Sequence, residues 1–214
     1  MTISQLHPVF VDQYGGLRSD DRERVDPAVD AWVDLDAAEI AVADLLVALG
    51  QDLDTEDLRE TPRRVATALA ELLTPQPFSM TTFANDEGYD ELVVVRDIAF
   101  HSLCAHHLLP FIGVAHVAYV PGERIVGLSK LARVVEHFAR RPQLQERLTR
   151  QVADALEGEL TPRGVGVAME ATHLCMSLRG VCVDGARTRT TAVRGVVRDD
   201  PATRSEFSTL VGAP

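Results

Sequence analysis

The chain's 214 residues, 46% hydrophobic and 25% charged, have an ordinary globular composition with room for one large domain and a small helical appendage. A net charge of −11 excludes a general nucleic-acid binder, which would present a basic surface. No apolar run reaches the roughly 18 to 20 residues of a membrane span, and Met1–Gly16 lacks the basic-then-apolar layout of a signal peptide, so a cytoplasmic protein with no membrane partner is expected.

That charge is uneven. Residues 1–100 carry 7 basic against 21 acidic side chains, and residues 101–214 carry 14 against 11, so the second half can host a small anionic ligand despite the acidic total. Three cysteines, Cys104, Cys175 and Cys182, are too few and too scattered for a disulfide framework. In a reducing compartment such residues read as metal ligands, catalytic groups or core.

In chain order, residues 1–33 are acidic with little periodicity and read as a flexible arm. From Asp34, residues Ile40, Ala43, Leu45, Leu46 and Leu49 recur near the 3.6 period until Gly50 ends the helix. Thr61-Pro62 announces a second helix to about Leu73, so that residues 34–90 form an N-terminal helical part. Pro75 and Pro77 break it, and Asn85–Asp90 read as loop. Residues 91–214 then carry the strands. Leu92–Ile98 is a β-branched run, His116–Val120 is extended, and Pro121-Gly122-Glu123-Arg124 turns the chain before Ile125-Val126. Ser129 is expected to cap a helix over 130–141, and after Pro142 another covers 143–159, with Leu144, Leu148, Val152 and Leu156 on one face. Gly164–Leu178 and Val181–Val197 read as strand-rich, and Asp200-Pro201 opens a last helix through Leu210. The order is that of an α+β fold with antiparallel pairing rather than a doubly wound sheet.

Within Ser102-Leu103-Cys104-Ala105-His106-His107 a thiol and two imidazoles crowd together. Zinc takes sulfur and imidazole nitrogen, and a catalytic site keeps three protein ligands and one open position. Cys104 and His107 have knuckle-like spacing, and His173-x-Cys175 is the best source of a third ligand. On a strand those two residues project to the same face, so both can reach one site. Cys182 has no nearby partner and reads as core; His7, His101, His116 and His137 read as ordinary polar residues. The H-x-E with P-C-x-x-C of base deaminases, the H-E-x-x-H of metalloproteases and the G-x-x-x-x-G-K-[ST] phosphate loop are all missing.

Cys104-Ala-His-His-Leu-Leu-Pro-Phe-Ile-Gly113, His116-Val-Ala-Tyr-Val-Pro121, Gly127-Leu-Ser-Lys130, Arg141-Pro-Gln-Leu-Gln-Glu-Arg-Leu-Thr149 and His173-Leu-Cys-Met-Ser-Leu-Arg-Gly-Val181 closely resemble GTP cyclohydrolase I. The resemblance begins near Asp34, passes through Glu60-Thr-Pro-Arg-Arg64 and ends near Phe207. It implies a tunnelling fold: an antiparallel sheet with two long helices on one side and an N-terminal helical part. It also implies a toroidal homodecamer of two pentamers with active sites between subunits. By the family pattern Cys104, His107 and Cys175 hold Zn2+, while His106 and His173 are catalytic. Glu146 would hold the guanine edge with Gln145 nearby, and Ser129 would contact the ribose. Lys130, Arg133 and Arg179 would bind the triphosphate, with Arg64 from a neighbouring subunit.

The implied reaction opens the imidazole ring of GTP to give 7,8-dihydroneopterin triphosphate and formate, the first step of tetrahydrofolate and pterin biosynthesis. One position departs from the pattern: the family usually has Glu between the cysteine and the first histidine, where this chain has Ala105. Two alternatives follow, a specialised paralogue with weakened or redirected product formation and a non-catalytic GTP-binding toroid. Retention of both His106 and His173 argues against the second.

Overall fold

The computed structural model describes residues 33–212; apart from Val33, the expected acidic arm lies outside them, as does His7. By internal contacts the chain divides into two compact units, one ending at Thr74 and the next beginning at Pro75. The first contains α1 (Leu35–Ala48) and α2 (Thr61–Leu73), which pack together. Asp34 caps α1 by accepting from the Ala37 amide at 2.9 Å, and Pro62 sits in the first turn of α2, where its missing N–H costs nothing. No residue of α1 is buried; Ile40, Leu45 and Val47 are exposed.

The second unit is built on a five-stranded sheet in the order β5-β2-β3-β6-β7. Its members are β2 (Val93–Cys104), β3 (Pro110–Val120), β5 (Pro142–Gln143), β6 (Gly164–His173) and β7 (Thr188–Gly195). All pairings are antiparallel except the short β2–β5 ladder, which is parallel. A separate two-stranded ribbon pairs β1 (Thr82–Ala84) with β4 (Arg124–Val126). Two long helices, α3 (Leu128–Ala139) and α4 (Gln145–Leu160), lie against the sheet, α3 on β2 and α4 on β6 and β7. Short α5 (Leu174–Ser177) follows β6, and α6 (Val196–Asp199) and α7 (Pro201–Leu210) follow β7.

Period-2 alternation sorts the strand residues between two cores. Val117, Tyr119, Val165, Val167 and Met169 join Leu131, Val134, Leu148, Val152 and Leu156 of the long helices. Ala118, Val120 and Ala168 face the other way, against Val197 and Phe207. Residues 115–120 of β3 and 164–169 of β6 are buried on both faces and read as near-continuous apolar runs. Gly166 is what lets α7 approach: a Cβ there would come within 2.8 Å of the Phe207 ring.

Several expected boundaries shift. β2 continues to Cys104 and β3 begins at Pro110, so the Cys-x-His-His cluster occupies a hairpin turn between two long strands. Gly127, not Ser129, caps α3, and Ser129 lies inside the first helical turn. Pro142-Gln143 is extended rather than helical, because it pairs with Leu103-Cys104. The strand expected over Gly164–Leu178 ends at His173, since β3 supplies its last partner at Phe111 and the chain beyond closes into the α5 turn. Likewise Val181–Val197 is strand only over β7 and ends in α6. Cys182, expected in the core, is exposed.

Candidate functional site

Cys104 ends β2, and its carbonyl accepts from the amides of both His107 (3.2 Å) and Leu108 (2.8 Å), with Leu108 at a φ of 53°. This tight turn folds His107 back over the cysteine. The Ala105 amide donates to the Gln143 carbonyl at 2.9 Å, tying the turn to β5 and hence to the start of α4. From the far side, the Phe111–His173 pairing brings the end of β6 level with the hairpin, and α5 then delivers Cys175. Ligand atoms of Cys104, His107 and Cys175 all lie within 4.8 Å of one another, the one such group among the described residues. His173 and Cys175 are therefore not brought together by sharing a strand face. His173 closes the strand, Cys175 sits on the helical turn, and only Cys175 joins the donor group.

The donor set fits zinc. Bonds of about 2.3 Å to sulfur and about 2.0 Å to nitrogen at tetrahedral angles set those donors about 3.5 Å apart; Cys104 Sγ and His107 Nδ1 are 3.7 Å apart. Burial, and after it the hydrogen bond with Cys104, pushes the Cys175 thiol above its ordinary range. Two adjacent sulfurs resist ionising together unless a cation shares them, and two thiolates with one imidazole suit zinc better than a hard oxygen-seeking ion.

His106 is exposed, with Nδ1 at 3.9 Å from Cys104 Sγ and its ring edge-on to His107, outside the three-donor group. His173 is half-buried. Its ring stacks on Phe111 with centroids 4.6 Å apart and planes 5° from parallel, and its Nε2 lies 2.8 Å from Gln145 Oε1. Burial pushes its pKa below the ordinary histidine value, and the nearby Glu146 carboxylate opposes that shift. Glu146 is exposed in the first turn of α4, whereas Gln145 beside it is 1% exposed.

On α3, Ser129 and Arg133 are exposed, and the Lys130 ammonium lies 5.8 Å from the centre of the Phe78 ring. Arg179 is exposed just after α5. Arg64 belongs to the first unit, exposed on α2; its neighbour Arg63 pairs with Glu39 at 4.0 Å. Sequence reasoning offers no sign of Phe111, an apolar residue among many in β3. Gln145 did leave a sign: it falls at the head of the buried α4 stripe that continues through Leu148, Thr149, Val152 and Leu156, where a polar side chain needs a reason.

A profile of GTP cyclohydrolase I matches residues 38–212. The chain belongs to the GTP cyclohydrolase I family. Among similar proteins, "GTP cyclohydrolase 1" of Streptomyces griseus subsp. griseus is 49% identical over 211 residues, covering 96% of this chain and 98% of that one. That of Streptomyces avermitilis is 56% identical over 181 residues (82% and 90% covered), and that of Aquifex aeolicus 52% identical over 179 (84% and 97%). As a GTP cyclohydrolase I the chain is a hydrolase with GTP as its substrate, and its Cys-His-Cys group is compatible with a metal. Among the described residues no helix is long and apolar enough to cross a membrane.

Proposed function

We propose that the chain is a zinc-dependent GTP cyclohydrolase I that opens the guanine imidazole ring and releases 7,8-dihydroneopterin triphosphate and formate. The observation that carries this reading is the Cys104–His107–Cys175 donor group in a chain matching the family over residues 38–212. Bound there, zinc supplies the Lewis acidity that makes hydroxide available near neutral pH. Guanine C8 is a poor electrophile until N7 is protonated, and His106, exposed beside His107, is assigned to deliver that proton. Hydrolysis of the resulting formamide frees formate. Opening, rearrangement and reclosure of the ribose then need proton carriers, a role assigned to His173 and Ser129.

Glu146 accepts from guanine N1–H and the 2-amino group. Adenine offers neither donor and leaves the carboxylate unpaired. Lys130, Arg133 and Arg179 bind the triphosphate, where arginine makes bidentate, charge-assisted contacts. Arg64 reaches the site from a neighbouring subunit of a tunnelling-fold homodecamer of two pentamers. Incubating zinc-loaded protein with GTP tests the reading: formate release with pterin fluorescence is expected, and the lack of both refutes it.

Ala105 favours a second reading, weakened or redirected turnover, because this exposed position carries only a methyl group beside the metal ligands. Ring opening without pterin would support it. Restoring glutamate should then raise turnover by about 10- to 100-fold, the usual worth of groups around a metal's ligands. No change in rate or product on Ala105→Glu counts against it.

A further inference from the structure

Gln145 is wholly enclosed, and every polar atom of its side chain has a protein partner. Its amide nitrogen donates to the Thr188 carbonyl at 2.9 Å, the Met169 carbonyl at 3.2 Å and Thr190 Oγ1 at 3.2 Å. The two backbone carbonyls only accept, so they fix which end of the amide is nitrogen. Its oxygen must then face His173 Nε2, at 2.8 Å. An amide oxygen has no proton to give, so His173 Nε2 carries one, and in a neutral imidazole Nδ1 is left with a free lone pair. Phe111, stacked at 4.6 Å, prevents the ring from tilting out of this arrangement.

The anchor itself is rigid. Met169 lies in β6 and Thr188 and Thr190 in β7, paired strands of the sheet. On the helix side, Thr149 Oγ1 donates to the Gln145 backbone carbonyl at 2.8 Å and lies 2.6 Å from Thr190 Oγ1. The sheet thus holds the nitrogen end of the amide, and the helix holds the Gln145 backbone.

We infer that Gln145 is a positioning residue: it locks His173 as the Nε2–H tautomer and presents Nδ1 as the proton-accepting atom to the substrate. The inference rests on the reading of His173 as a proton carrier and deepens it. It also separates Gln145 from its neighbour, since Glu146 is exposed and free to meet the base while the Gln145 side chain is spent on protein partners. Gln145 therefore acts through His173 and not by contacting GTP.

The test is magic-angle-spinning NMR of zinc-loaded protein labelled with 15N histidine, the His173 signals being assigned by difference from His173→Asn. Wild type should show His173 as a single Nε2–H species; an Nδ1–H species, or a mixture, overturns the lock whatever the variants do. Gln145→Met keeps the length but removes both acceptor and donors. It should give mixed tautomers and lower kcat by about 10- to 100-fold, the range for outer groups that orient a functional imidazole, with KM for GTP little changed. A raised KM with unchanged kcat would make Gln145 a substrate contact and overturn the proposal. Thr190→Val removes one partner of the amide without touching His173, and should leave the tautomer single. Tautomers released in Gln145→Met with kcat unchanged would support the lock and refute the proton-carrying role of His173.

Discussion

Replacing Phe111 with leucine tests how far the core holds the site. The ring is 0% exposed, stacks on His173 at 4.6 Å and meets Phe100 edge-on at 6.0 Å and 79°. Phe→Ala in such a place costs about 3 to 5 kcal/mol. Set against a typical net stability of about 5 to 15 kcal/mol, that loss obscures any effect on the site. Leucine keeps most of the apolar bulk and removes the two ring contacts, each worth about 0.5 to 1.5 kcal/mol. Together the expected loss is about 1 to 3 kcal/mol. Urea unfolding of the metal-loaded protein measures it, and steady-state kinetics with GTP measures its consequence. Without the stack, His173 keeps only its hydrogen bond to Gln145, so kcat should fall while KM holds. A stability change under about 0.5 kcal/mol, the size expected of a neutral surface change, together with an unaltered kcat would refute the argument that packing orients this imidazole.

Three further outcomes are expected. Burial holds His116 below its ordinary value of 6.5 against the pull of Asp97, with Arg96 and Arg189 pushing the same way as burial. The unfolded chain therefore takes the proton first, so this contribution is complete above about pH 6.5 and is lost as pH falls through the lower folded value. Urea midpoints should drop on acidification, and less steeply in His116→Gln; parallel slopes would rule the assignment out. If zinc is the metal as proposed, Cys175→Ala should bind less of it than wild type, measured by elemental mass spectrometry, and lose formate release, whereas His106→Asn should keep the metal and lose turnover. Metal loss in the latter would make His106 a ligand. Arg179→Ala should raise KM for GTP by about 10- to 100-fold, equivalent to a charge-assisted hydrogen bond of about 1.5 to 3 kcal/mol, and an unchanged KM would remove it from the phosphate site.

Much of this protein is written locally. α1, α2 and α7 stand where capping residues, proline and the 3.6 period put them, because Asp34, Pro62 and Asp200 act within a single turn of chain. The Cys104–His107 pair is equally local, a hairpin-turn spacing that brings sulfur and imidazole together whatever else the chain does. Strand ends are different, since a strand lasts only as long as its partner. β6 ends at His173 because Phe111 is its last partner in β3 and Pro110 beyond it has no N–H to donate, and Leu174-Cys-Met-Ser then coils into the turn that carries Cys175. No periodicity along the chain could reveal that. Nor could it show that Gln145, at the head of an apolar helix stripe, would meet His173 across 28 residues of sequence. Sequence alone was enough for the family, the Cys and His residues of the donor group and most helices, since these rest on neighbouring residues and their order. Only the tertiary structure decided that the ends of β2 and β6 and the starts of β3 and α4 come to one place, because that follows from cross-strand register and from the burial of one polar amide between sheet and helix.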